Sequence, residues 1–116
     1  YGEFQQAIDI VNGIHDYMGA GHSCGIQSNN DEHVMQLALN THTTRVMVRQ
    51  PQSVGNSGDW NNGMPFTGSL GCGTWGGNIV SENITLKHFL NNTWVSEPIK
   101  GVIPSDEELF GDAMKG

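Results

Sequence analysis

Apolar residues recur at Phe4, Ala7, Ile8, Val11, Ile14 and Met18. Spacings of three and four place them on one face of a helix with 3.6 residues per turn. Gly19 and Gly21 end that helix, because glycine readily adopts the left-handed conformation of a C-terminal cap. Residues 22–28 are short, small and tolerant of extended backbone, and predict a buried strand. Asn29-Asn30-Asp31 then supplies capping oxygens for a second helix, with Val34, Leu37, Ala38 and Thr41 on its inner face. Arg45-Val46-Met47-Val48-Arg49 predicts a second strand, stopped before Pro51. Helix and strand in alternation predict parallel pairing through a helical crossover, and hence an α/β fold.

Beyond this point the pattern changes. Residues 52–63 have no apolar period, and glycines alternate with asparagines. They predict a long loop, of the kind that is functional or docked on something. Ser81-Glu82-Asn83 predicts the cap of a short helix reaching His88, and Thr93-Trp94-Val95-Ser96 a strand that ends at Pro98. Ser105-Asp106-Glu107-Glu108 is a capping box that opens a last short helix, ended by Gly111. No internal repeat is evident.

Charge narrows the function classes. Five Lys and Arg face twelve Asp and Glu in 116 residues, a formal net charge of −7. A phosphate-backbone binder needs a basic face, so nucleic acid is not an expected partner, and neither is anionic lipid. The longest uncharged stretch, residues 60–81, is crowded with Gly and Asn. It falls short of the roughly 18 consecutive apolar residues of a membrane span. The chain starts without Met, in mid-pattern, and reads as part of something longer. No basic segment followed by an apolar run opens it, so no secretory signal is expected. Cys24 and Cys72 fit no metal spacing. A single bridge in an oxidising compartment and two thiols in a cytosolic protein both suit them, and two cytosolic thiols are expected.

His22 follows Gly21 at the start of a predicted strand. A neutral imidazole suits proton transfer near pH 7, and the same residue type also serves as a hydrogen-bonded structural group. Cys72 sits in Gly71-Cys72-Gly73-Thr74-Trp75-Gly76-Gly77-Asn78. Flanking glycines let backbone N–H groups approach a ligand, or simply let a loop pack tightly. No base is adjacent in sequence, so a binding or packing loop is expected here rather than a nucleophile. No phosphate-loop spacing occurs. His15, His22, His33, His42 and His88 show no metal-ligand spacing, and solvated helix faces account for most of them. Asn83-Ile84-Thr85 and Asn91-Asn92-Thr93 match the glycosylation acceptor pattern, which matters only in a secreted protein.

Ser69-Leu70-Gly71-Cys72-Gly73-Thr74-Trp75-Gly76-Gly77-Asn78, followed by Ser81-Glu82-Asn83 and Lys87-His88-Phe89-Leu90-Asn91, resembles the C-terminal part of CoA-acylating aldehyde dehydrogenases. The kin are sulfoacetaldehyde and CoA-dependent succinate-semialdehyde dehydrogenases and the aldehyde half of bifunctional aldehyde–alcohol dehydrogenases. Gly19-Ala20-Gly21-His22-Ser23 is similar to that group's Gly-x-Gly-His-Thr/Ser stretch. The resemblance implies the distal part of a catalytic domain over residues 1–90, and an oligomerisation strand and tail over residues 91–116. It implies a parent reaction that interconverts an aldehyde and its acyl-CoA with NAD or NADP, through a thioester on a cysteine. Neither Cys24 nor Cys72 falls where that nucleophile belongs, so the chain alone is expected to be inactive and to bind neither cofactor. His22 is implied at the active site, as a base for the CoA thiol. Gly71, Cys72, Gly73 and Thr74 are implied in the pocket wall, and residues 93–97 in a homo-oligomer contact. No metal is expected, and a cytoplasmic location is expected.

Two other classes fit parts of the sequence. Trp60, Trp75 and Trp94 among Asn-rich loops suit a carbohydrate- or partner-binding module, although residues 3–41 read as helical where that needs an all-β pattern. A purely structural oligomerisation fragment is the other. The sequence does not name the aldehyde or choose between NAD and NADP.

Overall fold

The computed structural model describes residues 2–115. Helix α1 spans Phe4–Met18, and Glu3 and Gln6 form a reciprocal capping box at its start. Strand β1 (Cys24–Ile26) follows, then α2 (Asp31–Asn40) and strand β2 (Val46–Val48). The Asn30 side chain caps α2 by accepting from the N–H groups of Glu32 and His33. The strands pair in parallel, Cys24 opposite Val46 and Ile26 opposite Val48, so the expected α/β crossover is present. Alternation along the strands decides the layers. Cys24, Ile26, Val46 and Val48 face the core, where Ile8, Val11 and Phe4 of α1 meet Val34 and Leu37 of α2. Gly25 and Met47 face the other way. There a short helix α3 (Gln52–Gly55) covers them: Gln52 lies over Gly25, and Gly55 over the tip of Met47. Asn12 joins α1 to the end of α2, donating to Asn40 O and accepting from the His42 N–H.

Three local expectations change. Residues 52–63 are not all loop, because the first four wind into α3 on the sheet. Residues 81–88 do not form one helix capped by Ser81. Asn83 instead pairs with Leu70 in an antiparallel bridge, and only Leu86–Phe89 turn, as a 3-10 helix capped by Thr85 and His88. Residues 93–96 are not a strand here: residues 90–105 form neither helix nor strand and pair with nothing that would make one. The last capping box is as expected, with Ser105 and Glu108 opening α4 (Asp106–Phe110).

The described chain is extended overall. Its radius of gyration is 19.6 Å, where a compact domain of this length has about 13 Å. The accessible surface is 8968 Å², against about 6,200 Å² for a compact monomer of similar mass. Much of the excess is apolar and lies late in the chain, at Trp94, Val95, Ile99, Val102 and Ile103. Among the described residues no helix is long and apolar enough to cross a membrane.

Candidate functional site

The fold brings residues 19–22 against the glycine-rich loop of residues 71–77. Gly21 follows the end of α1 and bridges to Thr43 in parallel, in the same register as β1 and β2 and three residues ahead of their first pair. Its φ of 99° is open to glycine and strained for other residues. A Cβ at this position would run into the Cys72 carbonyl oxygen, the Gly76 N–H and the Cys72 side chain. So the two segments touch backbone to backbone, and only glycine permits it. Thr44 clasps the contact, its hydroxyl donating to Gly21 O at 2.7 Å and lying 3.3 Å from Gly71 O.

The loop itself is a closed hairpin. Gly71 N–H donates to Glu82 O, Gly73 N–H to Val80 O, and Ile84 N–H to Ser69 O. A 3-10 turn over Thr74–Gly76 closes the end. Cys72 N–H donates to the Asn78 side chain at 2.8 Å. Gly76 N–H reaches Cys72 O, and Gly77 N–H reaches Thr74 O. Five of the loop's backbone donors are thus spent inside it, which makes it a packing loop rather than a cradle for a ligand. A cleft of about 410 Å³ lies against it, with Leu70, Gly71, Asn78, Val80 and Ile84 in its lining. Of the expected wall residues Gly71 lines that cleft, while Cys72, Gly73 and Thr74 do not.

Beneath the hairpin lies a buried polar cluster that the sequence does not announce. Arg45 Nε donates to Asn83 Oδ1 at 2.9 Å, and Arg45 Nη1 to Gly71 O at 2.8 Å. Asn83 Nδ2 donates to Asn56 O and Pro65 O. Asn56 Nδ2 donates in turn to Ser23 Oγ at 2.9 Å. Burial pulls the Arg45 guanidinium below its ordinary value, with nearby Cys72 working the other way. Asn83 is 3% exposed and every polar atom of its amide is used, so it is not a sugar acceptor despite its pattern.

His22 is exposed, and its Nδ1 lies 2.8 Å from the buried Ser23 hydroxyl. Ser23 Oγ also accepts from Gln52 Nε2 at 3.0 Å, which ties His22 to α3. Cys24 and Cys72 are both free thiols. Of the other four histidines, three are half-buried with partnered rings rather than solvated, and His15 keeps a buried Nδ1 without a hydrogen-bond partner. His33 stacks on Phe4, His42 stacks on Trp75 beside Asp16, and His88 bonds Glu82. Glu82 sits below the usual carboxylate range because Lys87 and then His88 hydrogen-bond it. Among the described residues no three His, Cys, Asp or Glu gather as a metal site. A signal for the buried cluster existed in the sequence only as an arginine flanking an apolar strand.

No family model matches the chain. A sulfoacetaldehyde dehydrogenase of Acholeplasma sp is 52% identical over 99% of this chain and 24% of its own length. An acylating sulfoacetaldehyde dehydrogenase of Bilophila wadsworthia is 42% identical over 97% of this chain and again 24% of its own. The fold is that of part of an acetylating aldehyde dehydrogenase from Geobacillus thermoglucosidasius, with a TM-score of 0.78 over 90% of this chain and 23% of that one. The chain spans about a quarter of the length of the curated relatives it matches. Over nearly all its residues, therefore, this chain is a relative of the acylating aldehyde dehydrogenases, corresponding to a segment of them.

Proposed function

We propose that this chain is the distal part of the catalytic domain of a CoA-acylating aldehyde dehydrogenase, followed by an oligomerisation segment. Residues 1–90 form the catalytic part and residues 91–116 the segment and tail. The parent enzyme interconverts an aldehyde and its acyl-CoA with NAD or NADP, through a thioester on a cysteine outside this chain. The observation that carries the reading is the backbone contact of Gly21 with Cys72 and Gly76. It holds the segment that carries His22 against a loop whose sequence is specific to the family, so His22 acts on the incoming CoA or its thioester. Cys72 faces the packed interior of that contact, which suits a wall residue and not an attacking thiol.

The nucleotide is held elsewhere. Pyrophosphates want clustered cations or open backbone donors. Here Arg45 is buried, Arg49 pairs with Asp31, Lys87 pairs with Glu82, Lys100 lies in the extended segment 90–105, and five of the loop's backbone donors are spent. These residues fit neither NAD nor the phosphates of CoA, and the chain alone is expected to reduce no cofactor. A cytoplasmic location with reduced thiols accords with this chemistry. Sulfoacetaldehyde, named in two relatives, is the first substrate to assay.

The test is His22→Ala in the full-length enzyme, with single-turnover kinetics that separate the two half-reactions. Acyl transfer to CoA should slow by about 10²-fold or more, with hydride transfer largely kept. Unchanged acyl transfer would leave His22 a structural residue.

A further inference from the structure

We infer that the Ser23 hydroxyl fixes the tautomer of His22, so that the neutral ring carries its proton on Nε2 and presents that edge as a hydrogen-bond donor. This rests on the reading that His22 works at the acyl-transfer site, and it sets the direction in which the ring acts there.

The argument is a count of protons. A serine hydroxyl has one proton to give and two lone pairs to fill. Gln52 Nε2 donates to Ser23 Oγ at 3.0 Å and also to Ser23 O at 3.1 Å, which fixes the end of that amide facing the serine as its NH2. Asn56 Nδ2 fills the second lone pair at 2.9 Å. The hydroxyl proton has one neighbour left, His22 Nδ1 at 2.8 Å. Nδ1 therefore accepts and bears no proton, and a neutral imidazole must then be protonated at Nε2.

The orientation of Asn56 decides the outcome. As it stands, Asn56 Oδ1 is a buried acceptor without a partner. Reversing the amide would put an NH2 donor pair in that place and give Ser23 an acceptor instead. Orphaned buried N–H groups are rarer than under-satisfied carbonyls. The backbone of Asn56 is also pinned, because its carbonyl receives Asn83 Nδ2 at 3.0 Å. The chain from Arg45 through Asn83 and Asn56 to Ser23 thus ends by orienting a proton on His22. Ser23, Gln52 and Asn56 are positioning residues.

With its proton on Nε2, the exposed edge of His22 has no lone pair to take a proton from a thiol. It offers a donor to an electron-rich atom instead, the thiolate sulfur of an arriving CoA or the carbonyl oxygen of a thioester. The expected base becomes a donor.

The test is magic-angle-spinning NMR of the full-length protein labelled with 15N-histidine, at a pH where imidazoles are neutral, with His22→Gln assigning the signal. The wild type should show His22 with a pyrrole-like Nε2 and a pyridine-like Nδ1, in about tenfold excess over the other tautomer. Ser23→Ala should give a mixture, and Ser23→Thr should restore the single tautomer. If Ser23→Ala does not fold, Gln52→Met frees one lone pair and should also give a mixture. A wild type with Nδ1 protonated or with both forms equal, or a folded Ser23→Ala or Gln52→Met protein with the tautomer unchanged, overturns the inference. An inactive enzyme with the stated tautomer would sink the acyl-transfer reading and leave this one standing; an active enzyme with the other tautomer would do the reverse.

Discussion

Arg45 and Asn83 meet side chain to side chain at 2.9 Å, both more than nine-tenths buried, across 38 residues of sequence. The contact pins the second strand beneath the glycine-rich hairpin. Four neutral acceptors take the place of an anion: Asn83 Oδ1, Gly71 O, His22 O and the Thr44 hydroxyl oxygen. Asn83→Ala would strand Arg45 Nε, Asn56 O and Pro65 O at once. We expect a loss of about 3 kcal/mol, since each buried group left unsatisfied costs about 1–3. Urea unfolding of the full-length protein measures it, and a loss below about 1 kcal/mol would mean that water replaces the amide.

Gly19 and Gly21 separate two costs that usually come together. Both have φ near 100°, but a Cβ on Gly19 meets nothing within 4 Å, while one on Gly21 meets the backbone of residues 72 and 76. Gly19→Ala should cost about 1–2 kcal/mol of backbone strain alone. Gly21→Ala should cost clearly more and should also impair acyl transfer, because it displaces the segment that carries His22. Equal effects in unfolding and activity assays would show that the backbone contact is dispensable.

The two thiols should behave differently. Burial pushes Cys24 above its ordinary value of 9.0, with the Thr41 hydrogen bond working slightly the other way. The fold therefore prefers the protonated thiol. That contribution is whole below about pH 9 and declines as the pH rises through the higher folded value. The stability difference between wild type and Cys24→Ala should shrink above pH 9 in chemical unfolding. Alkylation should reach the half-buried Cys72 before Cys24, and Cys72→Ser should stay active with a stability change of about 1 kcal/mol or less.

Glu82 links Lys87 and His88 to the hairpin. Its carboxyl is held below its ordinary 4.5, so the stabilisation it gives is present above that value and is lost as the pH falls through the lower folded one. Wild type and Glu82→Gln should differ near neutral pH and converge in acid. The group is exposed, so added salt should narrow the difference too.

Assembly is the last test. Trp94 and Val95 are 93% and 86% exposed, on backbone that forms no strand pairing among the described residues. An extended segment in that state is a template for another chain's sheet. The full-length protein should form a homo-oligomer through residues 93–97, and Val95→Pro should weaken it by removing a backbone donor. Sedimentation velocity compares the two, and a wild type monomeric at high concentration would remove the assignment.

Local chemistry was enough to read α1, α2, both strands and the last capping box from the sequence, because each is decided by neighbours three or four residues apart. The period of Phe4, Ile8 and Val11 needs a core to face, and Asn30 and Ser105 cap whatever helix follows them. The likeness of residues 69–78 to a known family was legible for a related reason: glycines required at close approaches leave a pattern in the chain itself. The polar cluster was not legible. Arg45, Asn56 and Asn83 are 11 and 27 residues apart in sequence, and only the parallel pairing of β1 with β2 and the return of the hairpin bring them together. The same holds for residues 81–88, whose capping residues were spent on an antiparallel bridge because Asn83 was worth more buried against Arg45 than at a helix end. Whether residues 93–96 become a strand lies outside both levels, since a strand exists only by its partner and the described residues supply none. The sequence by itself determined which segments wind and which extend. Tertiary structure decided where the histidine's proton sits, because that depends on how many donors converge on one buried hydroxyl.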